Sequence, residues 1–303
     1  MRVVFFSESQ VNGKIPRDFS NARTEYAWMM ALDAPHYNIN NIPTEKFDLG
    51  IVIIPKNNPN IDLDSFRSCC DKVAVMQEGP HWLFQDYSVE NQFHYYNSVV
   101  SADWVYCHNE SDVNYYLGLG CKDVRVMRSL MIPEGLVPRS EWGNGTMIGG
   151  NFVSWYGGFD SYMVAREIGN SIWAPSMGRK QDQEDMIEDI NYMAYMSWRD
   201  WITALGQFNI GIHLMRTHAA GTFAMNCAYH GIPCIGYYGL DTQEMLHPLT
   251  TIDVGDLDGA KEVARKLRSD RFYDLCSDTI IKRFEQNYTE EKWKENWEVI
   301  NGQ

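Results

Sequence analysis

Apolar residues in this chain fall into short, dense runs that recur at regular intervals. MRVVFFSES at the start, FDLGIVIIP (47–55), KVAVMQEG (72–79), ADWVYCHN (102–109) and VRVMRSLM (124–131) are rich in Val, Ile and aromatics and have the length of buried strands. Helical stretches lie between them near 21–34, 61–70, 86–99 and 110–119. Such alternation predicts a parallel sheet with helices on both faces. At 133–149 the text becomes PEGLVPRSEWGNGTMIG, aperiodic and rich in Gly and Pro, which reads as a domain junction. The alternation then resumes: TMIGGNFV, SIWAPSM (171–177), INYMAYM (190–196), NIGIHLM (209–215) and IPCIGYY (232–238) are strand candidates, with SYMVAREIG and SWRDWITALGQF helical. The pattern predicts an α/β chain of two Rossmann-like domains, 1–138 and 146–278. The tail from 271 to 300 is helical in pattern, and 279–303 is expected to return as a C-terminal helix to the first domain.

Composition narrows the partners. Hydrophobic residues make up 45% of the 303, which excludes a disordered chain, and 10 Trp with 17 Tyr supply flat surfaces with polar tips that suit core packing or a sugar or base site. A net charge of −14 disfavours long-range capture of nucleic acid, although a local basic cleft stays open. The 7 Cys are odd in number and form no CxxC pair, so neither a zinc site nor a disulfide framework is indicated and a reducing cytoplasm fits. The first apolar run is too short for a signal sequence, and no stretch approaches a bilayer span.

Residues 218–236, HAAGTFAMNCAYHGIPCIG, carry the clearest chemical signal. With the flanking strands they form strand, loop, short helix, tight turn and strand, and a right-handed crossover puts the loop at the carboxyl end of the sheet, where open α/β sheets bind ligands. Gly221 precedes the helix and Asn226 sits inside it, either as a ligand contact or as a solvated or capping residue. HNESD (108–112) has the residue types of a metal cluster, but its spacing fits a helix cap by Ser111 or Asn109, so no metal is expected.

On these residues the chain resembles a GT-B glycosyltransferase, with two Rossmann-like domains whose parallel sheets face each other across a cleft. More narrowly it resembles the family-four, or group 1, type. That type carries Glu-x-Phe-Gly-x4-Glu-Ala-Met-Ala-x-Gly-x-Pro, and alignment on its Gly and Pro anchors gives His218, Gly221, Asn226, Cys227, Ala228, Gly231 and Pro233. The spacing matches, while both acidic positions differ. The resemblance implies that amides at Gly221, Thr222 and Phe223 hold a nucleotide diphosphate and that Asn226 stands where the family's Glu binds the ribose. It implies a cleft His or acid near the sugar, filled by His81 or Glu78, and a basic pair against the diphosphate, for which NFVSWYGGFD offers nothing and Arg216 or Arg179 with Lys180 are candidates. Asn21 and Arg23 would lie on the acceptor side. NARTEYAWMMALDA and HNESDVNYYLGLG are also similar to glycosyltransferase-like proteins of marine phages, which would place the protein in host cytoplasm.

The resemblance implies transfer of a sugar from a nucleotide-diphosphate-sugar co-substrate to a hydroxyl acceptor, retaining and metal-independent, with no further cofactor. Two alternatives remain: glycosylation of hydroxymethylated bases in viral DNA, which the charge opposes, and non-catalytic nucleotide-sugar binding, which the loss of both motif carboxylates favours. A sugar-nucleotide epimerase of the same fold fits less well, because its clustered acids are not recognisable.

Overall fold

The computed structural model describes residues 1–302 apart from 56, 57, 78, 151, 154, 176–183 and 185. Glu78, Arg179 and Lys180 therefore lie outside the described residues. Among the described residues two separate sheets form, and the chain divides into one unit of Met1–Ile132, His218–Ala220 and Glu290–Gln303 and a second of Pro133–Thr217 and Gly221–Thr289.

The first unit's sheet runs β2 (Gly13–Lys14), β3 (Pro35–Asn38), β1 (Val3–Ser7), β4 (Phe47–Ile54), β5 (Cys70–Gln77), β6 (Trp104–Cys107) and β7 (Val124–Val126), parallel except for β2 on β3. β1, β4 and β5 are buried at consecutive positions over Val3–Phe6, Leu49–Ile54 and Val73–Gln77, so these stretches read as dense apolar runs, with the charged Asp48, Asp71 and Lys72 near the strand starts. β3 escaped the sequence reading because its core position is His36, opposite Phe5. That imidazole satisfies both nitrogens, on the Val11 carbonyl and on Ser7 Oγ, and burial lowers its pKa. The run 124–131 yields only three strand residues. Among the described residues β7 has β6 as its one neighbour, and past Val126 the backbone turns to the 22–24 segment, where Leu130 O accepts from Thr24 N and Met131 bridges Arg23.

The second unit's sheet is parallel throughout, in the order β10 (Ile190–Met193), β9 (Ile172–Pro175), β8 (Thr146–Ile148), β11 (Ile210–His213), β12 (Cys234–Tyr237) and β13 (Thr251–Ile252). Helices α5 (Gly158–Ala165) and α7 (Thr222–Tyr229) pack on β11, and α8 (Asp241–Leu246) packs on α7. β8 is shorter than TMIGGNFV suggested. A Cβ on Gly149 would come within 2.7 Å of His213 and Phe223, and one on Gly150 within 2.7 Å of Tyr156, so these glycines end the strand in a tight turn. The helical tail is two helices, Asp270–Asn287 and Glu290–Asn301.

Arg139 ties the end of α7 to its surroundings. Its guanidinium donates to the carbonyls of His230 (2.8 Å), Phe208 (2.9 Å) and Gly231 (3.1 Å) and to the Tyr273 hydroxyl (2.6 Å). A lysine keeps the charge but loses the fork that reaches four acceptors. Arg139→Lys should therefore lower unfolding free energy in urea by about 2 kcal/mol, whereas wild-type stability in that variant would show that charge alone holds the joint.

Candidate functional site

In the second unit the strand order reverses between β8 and β11, each of whose chain connections leads to a different side of the sheet. Such a reversal opens a crevice at the carboxyl ends of the two strands. After β11, Leu214 and Met215 are buried, Arg216 is exposed, and Thr217 Oγ1 donates to Trp155 O at 3.3 Å. Gly221 then starts α7 at φ +64, in the left-handed region. A Cβ there would sit 1.8 Å from Thr242 Oγ1, and that hydroxyl donates to Gly221 O at 3.0 Å. No other residue fits both the backbone angle and the contact. Gly221 offers no side chain to cap the first turn, and Met225 N is the first amide to bond back to Gly221 O. Among the described residues the amides of Thr222, Phe223 and Ala224 therefore open the helix without an acceptor, the arrangement that binds phosphate.

Asn226 follows Thr222 by one turn on the same face. It is 1% exposed, which overturns the solvated and capping readings: it lies inside the helix and away from water. Its Oδ1 has no hydrogen-bond partner among the described residues. His213, at the end of β11, is similar: Nε2 is buried without a partner among the described residues, and burial pushes the imidazole pKa down to about 4. Arg216, expected to face a diphosphate, is an exposed residue whose guanidinium lies 3.1 Å from Asp160 in the first turn of α5.

The first unit brings together residues far apart in sequence. His81 opens a 3₁₀ helix, His81–Asp86, directly beyond β5. Its Nδ1 lies 3.0 Å from Asp112 Oδ1, and its ring packs 4.1 Å from Tyr115. Asp112, on α4 (Glu110–Leu119), is 4% exposed, and its Oδ2 accepts from Asn109 Nδ2 at 3.1 Å. His218 Nδ1 bonds Ser111 Oγ at 3.0 Å and stands 3.7 Å from Asp112 Oδ1. Asn109 Nδ2 and Ser129 Oγ donate to the carbonyls of Ala219 and Ala220. The expected cap is thereby corrected: Asn109 occupies the N-cap position without a side-chain cap bond, and it and Ser111 hold the 218–220 segment instead.

Burial alone would raise the Asp112 pKa, but hydrogen bonding to His218, His81 and Asn109 outweighs it and lowers the pKa to about 2. A carboxylate on Nδ1 can only accept, so His81 carries a proton on Nδ1 and its Nε2 is the nitrogen left to meet another group. Sequence reasoning missed Asp112 because nothing local distinguishes it from an ordinary first-turn acid. Asn21 and Arg23 bond each other, Nε to Oδ1 at 3.1 Å. Among the described residues no three His, Cys, Asp or Glu side chains are placed to hold a metal ion.

No protein-family model matches the chain, and no curated protein matches it in sequence. Solved structures do match in fold. HepE from Anabaena, in complex with UDP, superposes with a TM-score of 0.67 at 8% identity over 100% of both chains. Sucrose-phosphate synthase from Thermosynechococcus elongatus gives 0.69 at 9% over 99% of this chain and 98% of that one. TarM, which S. aureus carries, gives 0.65 at 9% over 86% of this chain, and the chain spans 55% of TarM's length. These neighbours are GT-B glycosyltransferases, and the likeness shows that the chain has the GT-B fold.

Two outcomes follow from this geometry. Gly221→Ala combines left-handed strain with the clash on Thr242 and should cost about 3 kcal/mol in urea unfolding. In a Thr242→Ala background the Oγ1 clash is gone and the backbone strain remains with a tight 3.0 Å contact to Cβ, so the cost should fall to about 1–2 kcal/mol, and equal costs in both backgrounds would remove the Oγ1 contact as the cause. Asp112 has a depressed folded-state pKa, so its contribution is complete above the unfolded value of 3.8 and is lost as pH falls through about 2. Asp112→Asn should destabilise at pH 7 by about 2 kcal/mol, with the gap to wild type narrowing below pH 4. A gap that does not change with pH would show that the carboxylate's charge is not what matters.

Proposed function

We propose that this protein is a glycosyltransferase that moves a sugar from a nucleoside-diphosphate-sugar donor to a hydroxyl acceptor. The observation that carries the reading is the start of α7: a glycine-initiated helix at the strand reversal, with open amides and, one turn on, a buried Asn226 whose Oδ1 lacks a partner among the described residues. An unpaired buried carbonyl oxygen costs about 1–3 kcal/mol, and a ribose hydroxyl donating to it, after a local movement that uncovers Oδ1, would recover that. The structural neighbour HepE is described in complex with UDP and with UDP-glucose, which supports the same class of donor here.

In this reading the diphosphate rests on the Thr222 and Phe223 amides and Asn226 takes the ribose. Arg216 exchanges Asp160 for the phosphates. His218, Gly221 and Thr222 shape the turn. The bond from the sugar's anomeric carbon to the diphosphate oxygen breaks, and its electron pair leaves with the nucleoside diphosphate. The helix amides and Arg216 stabilise that charge as it develops. The acceptor oxygen forms the new bond to the anomeric carbon. In a retaining reaction its proton passes to the departing phosphate, while His81, oriented by Asp112, hydrogen-bonds the donor sugar. Glu78 keeps its candidacy beside His81, and Asn21 and Arg23 theirs on the acceptor side. No metal is required by this scheme. The second reading, nucleotide-sugar binding without transfer, is favoured by the neutral residue at Asn226, and donor hydrolysis without acceptor tells the two apart.

Calorimetry with UDP, GDP and ADP tests the donor site. One nucleotide should bind wild type. Asn226→Ala loses one neutral hydrogen bond and should weaken that binding by about two- to tenfold, while Arg216→Ala loses a charge-assisted contact and should cost more. Unchanged affinity in both variants would place the donor elsewhere.

A further inference from the structure

An open sheet has two edges, and in the first unit one of them is β7. Its pairing with β6 uses one side of the strand. Val105 N donates to Asp123 O and Met127 N donates to Cys107 O, with Tyr106 opposite Arg125, so residues 123, 125 and 127 turn their backbone groups towards β6. Successive residues of a strand turn theirs to opposite sides, which leaves the N–H and C=O of Val124 and Val126 directed out of the sheet. Such an edge is a template for a further strand, and proteins commonly blunt it with short strands, lysine or proline. The opposite edge is blunted in this way: β2 has two residues, one of them Lys14. The Val-Arg-Val of β7 contains neither lysine nor proline.

A cavity of about 570 Å³ follows this edge. The two helices that line it fix its position. The last helix, Glu290–Asn301, lies on the sheet face that carries Tyr106: Trp297 packs 6.0 Å from that ring, and Asn301 Oδ1 accepts from the Tyr106 hydroxyl and, at 3.1 Å, from Arg125 Nη1. α4 lies on the other face, where Val113 packs into a core shared by Val105, Cys107, Val124 and Val126. Both helices line the one cavity, α4 through Glu110 and Val113 and the last helix through Trp293, Trp297, Val299 and Ile300. Helices on opposite faces of a sheet can do so only around its edge. The walls are therefore apolar, and Val299 is 65% exposed. The charges of the groove are balanced, since Arg125 lies 2.7 Å from Asp123 and Arg128 3.7 Å from Glu110.

We propose that this groove docks an extended peptide segment of another protein, which joins the sheet as a strand beside β7. The outward backbone groups of Val124 and Val126 are matched in spacing and direction by a second extended backbone, whereas a helix has already used its own. Side chains of the added strand point alternately to the two faces, towards α4 and towards the last helix, which calls for apolar residues at alternate positions. The balanced charges favour neither an acidic nor a basic segment. A second copy of the chain fits less well: its own β7 is flanked by the same two helices, so helix would meet helix before strand met strand. The site does not depend on the sugar-transfer reading.

Panning a display library of random heptapeptides on the immobilised protein tests it. Enriched peptides should carry apolar residues at alternate positions and no central proline. The tightest of them, bound to wild type, should slow hydrogen exchange at the Val124 and Val126 amides. N-methylation of one alternate set of its backbone nitrogens should weaken binding by about tenfold or more, because at least two backbone hydrogen bonds are lost, while methylation of the other set should be tolerated. Val299→Asp, at an exposed position, should weaken binding by about fivefold or more through the lost apolar wall, with an unchanged melting temperature. No enrichment over an unrelated bait, enriched peptides with apolar residues at helical spacing, equal effects of the two methylated sets, or wild-type binding by Val299→Asp would overturn the proposal. Protection of Val124 and Val126 that grows with protein concentration in the absence of peptide would also overturn it, in favour of a second copy. Nucleotide binding, present or absent, alters none of these outcomes.

Discussion

The second unit is organised around one contact, the Thr242 hydroxyl on Gly221. Oγ1 donates to the Gly221 carbonyl at 3.0 Å from a side where a Cβ would lie 1.8 Å away. That contact fixes the residue at which α7 begins, which in turn fixes which amides are left open and which side chain lies one turn deeper. The far end of the same helix is held by Arg139 on the His230 and Gly231 carbonyls. A helix of eight residues gains little from its own hydrogen bonds, so its direction depends on these two anchors.

The two ends of the proposed chemistry are built in opposite ways. Asp112 is buried and fully engaged, with His81 on one oxygen and Asn109 on the other, and this engagement keeps the carboxylate charged despite burial. Asn226 is buried with its Oδ1 unpaired among the described residues, and His213 Nε2 shares that condition on the neighbouring strand. A satisfied network gives fixed geometry, whereas an unsatisfied buried acceptor raises the free energy of the empty state and is relieved by a donor. The first suits a residue that positions others, and the second suits a residue that meets a ligand.

Much of the fold was legible because parallel strands covered on both faces are apolar over most of their length. Phe47–Ile54 and Ile210–His213 announce themselves in the sequence for that reason. Pro35–Asn38 does not, since its buried position is a histidine satisfied by partners 25 and 29 residues away. The glycine-started helix at 221–222 was legible in the sequence, but the burial of Asn226 depends on how α7 packs against the sheet and α8. Asp112 was illegible: beside its neighbour Asn109, its histidine partners stand 31 and 106 positions along the chain, and only folding brings His81 and His218 to it. The Arg216 pairing with Asp160 likewise depends on where α5 begins, which the Gly157 turn at φ +62 decides.

A crystal structure of the protein soaked with the nucleoside diphosphate that binds most tightly tests the central claim most directly. The account predicts phosphate oxygens within hydrogen-bond distance of the Thr222 and Phe223 amides and a ribose hydroxyl on Asn226 Oδ1. A diphosphate bound elsewhere, with Asn226 Oδ1 still unpaired, would contradict it.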